Sequence, residues 1–221
     1  MKSSLLVFSL LFLVSLLVTS CDFQSPAPTL VNPLTASPGS TLFSDDFSSA
    51  TSWGLWNGDG AIVDYFTGGL RILVQEAQYD FWSVPGRDFT DVEIETNAVK
   101  LGGPDDNDFG VICRYLNKDN FYMLVISSDG YYGIAKIKDG QYTLLGADRL
   151  QYNPNIAQGM AANNIRADCV GSTLRLYANG IALIEVQDID FPRGDVGLIA
   201  GTYNTPGAEI LFDNFVVRKP R

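Results

Sequence analysis

Histidine is absent from this chain, and that absence alone removes a good deal of chemistry. Without it there is no Ser-His-Asp or Cys-His arrangement and no histidine-based zinc site. Basic residues are also scarce: 15 Lys and Arg stand against 25 Asp and Glu, a formal net charge of −10. The N-terminal leader carries only Lys2, so the remainder has 14 basic and 25 acidic residues and stands at −11. Nucleic acid and anionic lipid surfaces are therefore poor partners on electrostatic grounds. No Gly-rich phosphate loop precedes a helix, and no apolar pattern of helical period is found after residue 41.

What is present is globular. Hydrophobic residues make up 46% of the chain, enough for a core, and its length suits one β domain once the N-terminus is set aside. The first residues, "MKSSLLVFSLLFLVSLLVTSC", place a basic residue before an apolar run from Leu5 to Val18. That run is short for a membrane span of about 20 residues and suits a secretory signal. Val18-Thr19-Ser20-Cys21 resembles a bacterial lipobox, in which the Cys21 thiol takes a diacylglyceryl group and becomes the new N-terminus. An ordinary signal peptide with a nearby cysteine is the alternative. Two acyl chains anchor stably where one does not, so the expected address is extracytoplasmic, on the outer side of a membrane. Residues 1–20 are thus read as a lipoprotein signal peptide and residues 21–40, rich in Pro, Ser and Thr, as an extended tether. The folded domain is expected over residues 41–221.

The stretch Asp91–Lys138 gives the clearest view of that domain. Four runs rich in Val, Ile, Tyr and Phe lie near Asp91–Val99, Asp108–Leu116, Phe121–Ser127 and Tyr131–Ile137. Short connections, with Asp129-Gly130 as a two-residue hairpin signal, imply antiparallel neighbours. Strict pairing sets Leu124 opposite Ala135 and Cys113 opposite Leu124. One face then collects Val111, Cys113, Tyr115, Tyr122, Leu124, Ile126, Ala135 and Ile137 as core. The other collects Ile112, Arg114, Met123, Val125, Tyr132, Ile134 and Lys136. Extending the register through "KLGGPDDN" places Glu93 beside Arg114, so that Glu93, Glu95, Arg114, Met123, Tyr132 and Lys136 form a candidate ligand face.

Elsewhere, Trp53 and Trp56 occupy one loop, where plugging the end of a core is favoured over stacking on a sugar. Asn179-Gly180 marks a hairpin whose strict pairing puts Glu185 on the leucine face, a sign of an edge or a bulge. The last strand is expected to pair with the first. About fourteen short strands argue for two packed antiparallel sheets. With Cys21 lipidated, Cys113 and Cys169 remain at inward positions. A disulfide and two buried thiols both stay open, since sequence does not place the Cα atoms within the roughly 4.4–6.8 Å a bridge needs.

Several blocks carry a resemblance: "LFSDDFS" followed by Trp53, "DVEIE", "FGVICRYLNKDNFYMLVISSDGYYGIAKI", "NNIRADCVGSTLRLYANG" and "GDVGLIAGT…EILFDNFVV". In their order they resemble the concanavalin A-like lectin/glucanase superfamily, nearest to laminin-G-like modules and relatives of bacterial 3-keto-disaccharide hydrolase domains. The resemblance implies an all-β, two-sheet antiparallel jelly-roll sandwich whose concave sheet meets glycans or proteins. Glucanases of that superfamily use a Glu-x-Asp-x-x-Glu pattern, whereas the stretch from Glu93 reads Glu-Ile-Glu-Thr-Asn-Ala, with Ala98 in place of the third acid. No catalytic residue is therefore assigned. Asp105, Asp106 and Asp108, with Asn107, make an oxygen-rich loop that could hold Ca²⁺, although Phe109 and Leu116 break an EF-hand pattern counted from Asp105. A polar turn is the favoured reading there, and no other cofactor is expected. The functional expectation is a lipid-anchored, non-catalytic module binding a carbohydrate or glycoconjugate. A surface protein-interaction domain and a glycosidase-like hydrolase of small modified sugars are the alternatives.

Overall fold

The computed structural model describes residues 36–221. The expected signal peptide, the lipobox at Cys21 and most of the tether lie outside the described residues. Two antiparallel sheets pack face to face, and no helix occurs among the described residues.

Nine strands make the first sheet. In chain order they are β1 (Thr41–Asp45), β2 (Trp56–Gly58), β3 (Ala61–Phe66), β4 (Gly69–Val74), β6 (Val92–Gly102), β12 (Asn163–Val170), β13 (Thr173–Ala178), β14 (Ile181–Gln187) and β16 (Ala208–Arg218). The seven-stranded sheet holds β5 (Asp80–Ser83), β7 (Asn107–Asn117), β8 (Asn120–Ile126), β9 (Tyr131–Lys138), β10 (Gln141–Leu145), β11 (Gln151–Tyr152) and β15 (Asp195–Thr202). Its spatial order is β10-β9-β8-β7-β15-β5, with β11 also on β9. The first strand pairs with the last, β1 on β16.

Between the sheets lies the main core, fed by alternate residues of each strand, such as Ile94, Leu176 and Phe212 from one side and Val111, Leu124 and Leu198 from the other. Cys113 on β7 and Cys169 on β12 are bridged by a disulfide, Cα–Cα 6.7 Å, which ties one sheet to the other. The outer face of the nine-stranded sheet is polar and cross-linked by charge. There Arg71 joins Asp64 and Glu209, Arg218 holds Glu95 at 2.7 Å, and Arg175 holds Glu185. Strand β14 is the sheet edge and itself bulges at Leu183, between the pairs Leu176–Ile184 and Tyr177–Ala182, as the position of Glu185 suggested. Trp53 plugs the core end and donates to Asp45 at 2.9 Å, whereas Trp56 stays exposed on β2.

Three expectations are corrected. First, "KLGGPDDN" is a crossover between sheets, not a hairpin, so Glu93 on β6 faces Asp168 and Arg218 instead of Arg114. Second, the β8–β9 turn holds three residues, Ser128 to Gly130. The Ser127 hydroxyl accepts from the Tyr131 amide at 2.8 Å and closes the turn one residue early. Gly130 has φ +93°, and a Cβ there would press on the Tyr152 ring at 2.8 Å, so glycine is required. Leu124 consequently faces Ile134, and the parity of β9 is reversed. Third, β7 bulges after Cys113, with Arg114 at φ +54°, which sets Cys113 opposite Tyr122 and turns Tyr115 to the outward face. Docking also starts ahead of Thr41, since the Gly39 amide donates to the Lys219 carbonyl at 2.8 Å.

Candidate functional site

The outward face of the seven-stranded sheet is unusual because its floor is apolar and closed. Ile112, Phe121, Met123, Val125, Ala135 and Ile199 point away from the other sheet yet are 0–2% exposed. Trp82, Tyr115, Ile137 and Leu144 pack over them. Cross-strand pairing explains the grouping. Trp82, Ile199, Gly110, Val125 and Gly133 form one row, and Gly197, Ile112, Met123, Ala135 and Leu144 the next. At one end Trp82, Tyr115 and Phe121 form an aromatic cluster, with ring centroids 5.2 Å apart for Trp82–Phe121 and 5.6 Å for Tyr115–Phe121.

The opposite end is acidic. Gly201 on β15 lies between Asp80 on β5 and Asp108 on β7, and a Cβ at Gly201 would overlap both carboxylates. The Tyr203 hydroxyl donates to Asp108 Oδ2 at 3.2 Å, while the buried Asp108 Oδ1 has no donor among the described residues. Burial, opposed by a hydrogen bond from Asp108, pushes the Asp80 carboxyl up to about 6. Asp108 is also raised, through burial first and the negative charge of Asp80 second. Two carboxylates this close cannot both ionise cheaply, which is why both are raised.

Two tyrosines feel the pair. Tyr142, from the far edge strand β10, is pushed up to about 12 by burial and then by the charges of Asp108 and Asp80. Tyr203 moves in the same direction, again through burial and then Asp108. Tyr142 and Asp80 come from opposite edge strands of the sheet.

Beside the acid pair, a recess of about 410 Å³ is lined by Asp106, Asp129, Tyr131, Arg149, Leu150 and Tyr203, among others. A second, of about 770 Å³, lies across Tyr131, Arg149 and Leu150 and adds Asp148 and Tyr152. The two tyrosines on this wall, Tyr131 and Tyr152, meet edge to face at 5.7 Å and are both exposed.

The face anticipated from sequence is not assembled. Met123 alone of its six residues lies on this floor, sealed from solvent. Tyr132 points into the main core, with its hydroxyl on Gln151 at 2.9 Å. Lys136 sits on the same inner side and is held by Asp188 and Asp190 at 2.5 Å each. Arg114 is buried and donates to the Phe191 carbonyl at 2.9 Å and the Gly171 carbonyl at 2.7 Å, a structural tie across the sandwich end. Glu93 and Glu95 share a recess of about 310 Å³ on the other sheet with Arg166, Arg218 and Arg221. The oxygen-rich loop also disperses: Asp105 pairs with Lys100, Asn107 donates to the Pro104 carbonyl, and Asp108 turns into the acid pair. Among the described residues no group of three acidic or cysteine side chains converges as a metal site.

Comparison with solved structures places the architecture. A CBM66 carbohydrate-binding module from Bacillus subtilis superposes with TM-score 0.62 at 15% identity, covering 76% of this chain and 96% of that one. A Bacillus subtilis protein of unknown function with a galectin-like fold gives 0.59 at 13%, over 84% and 99%. The fold is a two-sheet antiparallel jelly roll. A Bacillus licheniformis β-glucanase shares it, at TM-score 0.56 and 12% identity over 81% of this chain and 98% of that one. No protein-family profile matches the chain, and no curated protein matches it in sequence. At these identities the jelly roll is what is shared, and function has to be argued from the site.

Proposed function

We propose that this chain is a non-catalytic module that binds a carbohydrate or glycoconjugate on the outward face of its seven-stranded sheet. The observation that carries the reading is the juxtaposition there of exposed tyrosines with carboxylates and hydroxyls around the two recesses. Aromatic faces pack on the apolar side of a sugar ring, and carboxylates and phenols accept its hydroxyl hydrogens. Shared architecture with a carbohydrate-binding module and a glucanase supports the same class. The carboxylate arrangements favour binding over hydrolysis. Glycosidases hold two carboxyls about 5–9.5 Å apart with room for the scissile bond. Here Asp80 and Asp108 press together over one glycine, and Glu93 and Glu95 are each held by an arginine.

A glycan-array screen of the protein, with calcium and with chelator, tests the reading. A hit is expected without calcium. Tyr131→Ala, at an exposed side chain bordering both recesses, is expected to weaken it about tenfold. A blank array in both conditions would move the reading to a surface protein partner.

The address belongs to the same proposal: Cys21 carries the lipid, and the module faces the outer side of a membrane. Metabolic labelling with a radioactive fatty acid should mark the wild-type chain and leave Cys21→Ala unlabelled. Equal labelling of both would remove the anchor.

A further inference from the structure

The two recesses at the tyrosine wall adjoin, and the residues they share are Tyr131, Arg149 and Leu150. These three form a ridge between the space of about 410 Å³ and the one of about 770 Å³. Local structure holds the ridge in place. Strands β10 and β11 both pair with β9, and the short run Gly146–Leu150 bridges from one to the other. Leu150 closes over Gly133, where an added Cβ would overlap its methyl at 2.6 Å. Tyr152 lies on Gly130, and its hydroxyl accepts from the Gln158 side-chain amide at 2.9 Å. Arg149 is thus carried on a span pinned at both ends, with its own side chain exposed. Arg71, Arg114, Arg166, Arg175, Arg193 and Arg218 each hold a carboxylate. Among the described residues Arg149 holds none, although Asp106, Asp129 and Asp148 line the same two recesses. Its guanidinium donors and those carboxylate acceptors face one opening without cancelling each other.

We propose that Arg149 sets the specificity of this face, and that the ligand it reads is a neutral oligosaccharide laid across the ridge. The inference rests on the sugar-binding reading above and names the class of sugar and the residue that selects it. A sugar hydroxyl both donates and accepts. Neighbouring hydroxyls on one ring can therefore accept from the guanidinium fork and donate to a carboxylate. Tyr131, exposed on the ridge and edge to face with Tyr152, gives the ring its apolar contact. One sugar unit sits in one recess, whereas a chain crosses Arg149 and reaches both.

Charge decides between neutral and ionised sugars. The charges lining the recesses are Asp106, Asp129 and Asp148 against Arg149. An acidic sugar brings its anion among three carboxylates, in a chain whose formal balance is already −10, and is repelled. An amino sugar meets the guanidinium on the ridge itself. A neutral chain avoids both costs, and its affinity does not depend on salt because no ion pair forms with the ligand.

The test is a glycan array carrying neutral, acidic and amino glycans of increasing length, read with the wild-type protein, Arg149→Ala and Arg149→Lys. Hits are expected among neutral chains of several units, with single units weaker by about tenfold or more. Arg149→Ala should weaken those hits about tenfold, and Arg149→Lys, which keeps the charge and loses the fork, should recover only part. The thermal midpoint of Arg149→Ala should match wild type, since the side chain is exposed, so the loss reads the ligand contact. Titration calorimetry of the strongest neutral hit should give the same Kd at low and high salt. Hits confined to acidic or amino glycans, or a Kd that rises with salt, would overturn the neutral reading. Undiminished binding by Arg149→Ala would overturn the role of Arg149, and full affinity in single units would overturn the placement across the ridge. Each of these leaves the sugar reading standing. A blank array would sink both.

Discussion

Asp80→Asn is expected to stabilise the protein at neutral pH. Asp80 is raised to about 6 in the fold from an ordinary value of 3.8. A carboxyl raised in this way adds stability below its unfolded value, and that stability is lost as pH climbs through its folded value. The folded state binds the extra proton between about pH 4 and pH 6, so stability falls across that window and the cost is complete above it. A shift of this size corresponds to about 3 kcal/mol. Asparagine removes the second charge and offers the buried Asp108 Oδ1 a permanent N–H donor. Thermal unfolding at pH 7 should rise by about 5–10 °C, for a domain in which 1 kcal/mol moves the midpoint by roughly 2–4 °C. The dependence on pH between 4 and 7 should flatten. A midpoint that is unchanged or lower at pH 7 would mean that the two acids do not oppose one another. A gain would identify a place where the fold gives up stability, which is common where a surface is kept ready for a ligand.

Removing the Cys113–Cys169 bridge is expected to act in the opposite direction. The two cysteines are 56 residues apart and completely buried, and they link β7 of one sheet to β12 of the other. Closing a loop of that length restricts the unfolded chain by about 4 kcal/mol in the chain-entropy account. Against a total stability of about 5–15 kcal/mol, that is a large share. The double variant Cys113→Ala/Cys169→Ala should lose most of it in urea unfolding. Wild type in reductant should approach the variant, and the variant itself should not respond to reductant. A wild-type midpoint indifferent to reductant in the unfolding transition would show that the bridge contributes nothing to stability.

Part of the site could be read in the sequence. In "QYDFWSV", alternation puts Asp80 and Trp82 on one side of β5, and in "DFGVIC" it puts Asp108, Gly110 and Ile112 on one side of β7. Each strand opens its outward face with an aspartate. What joins them is Gly201, far along the chain, and nothing local marks β15 as the strand that lies between. Arg114 and Lys136 looked like exposed ligands because alternation was counted through a bulge and a three-residue turn. One extra residue in either place moves every later side chain to the other face.

The sequence by itself determined that this is a β protein with a core. Alternating apolar residues, Asn-Gly and Asp-Gly turns and the lack of helical periodicity act over a few residues, and no tertiary contact is needed to read them. It also determined the acidic charge and the exclusion of histidine chemistry, which are properties of composition. Tertiary structure alone decided which sheet each strand joins and the order of strands within it. It alone brought Asp80 and Asp108 together on either side of Gly201. Those outcomes depend on packing between strands distant in sequence and on single-residue slips at turns, and neither leaves a trace in local pattern.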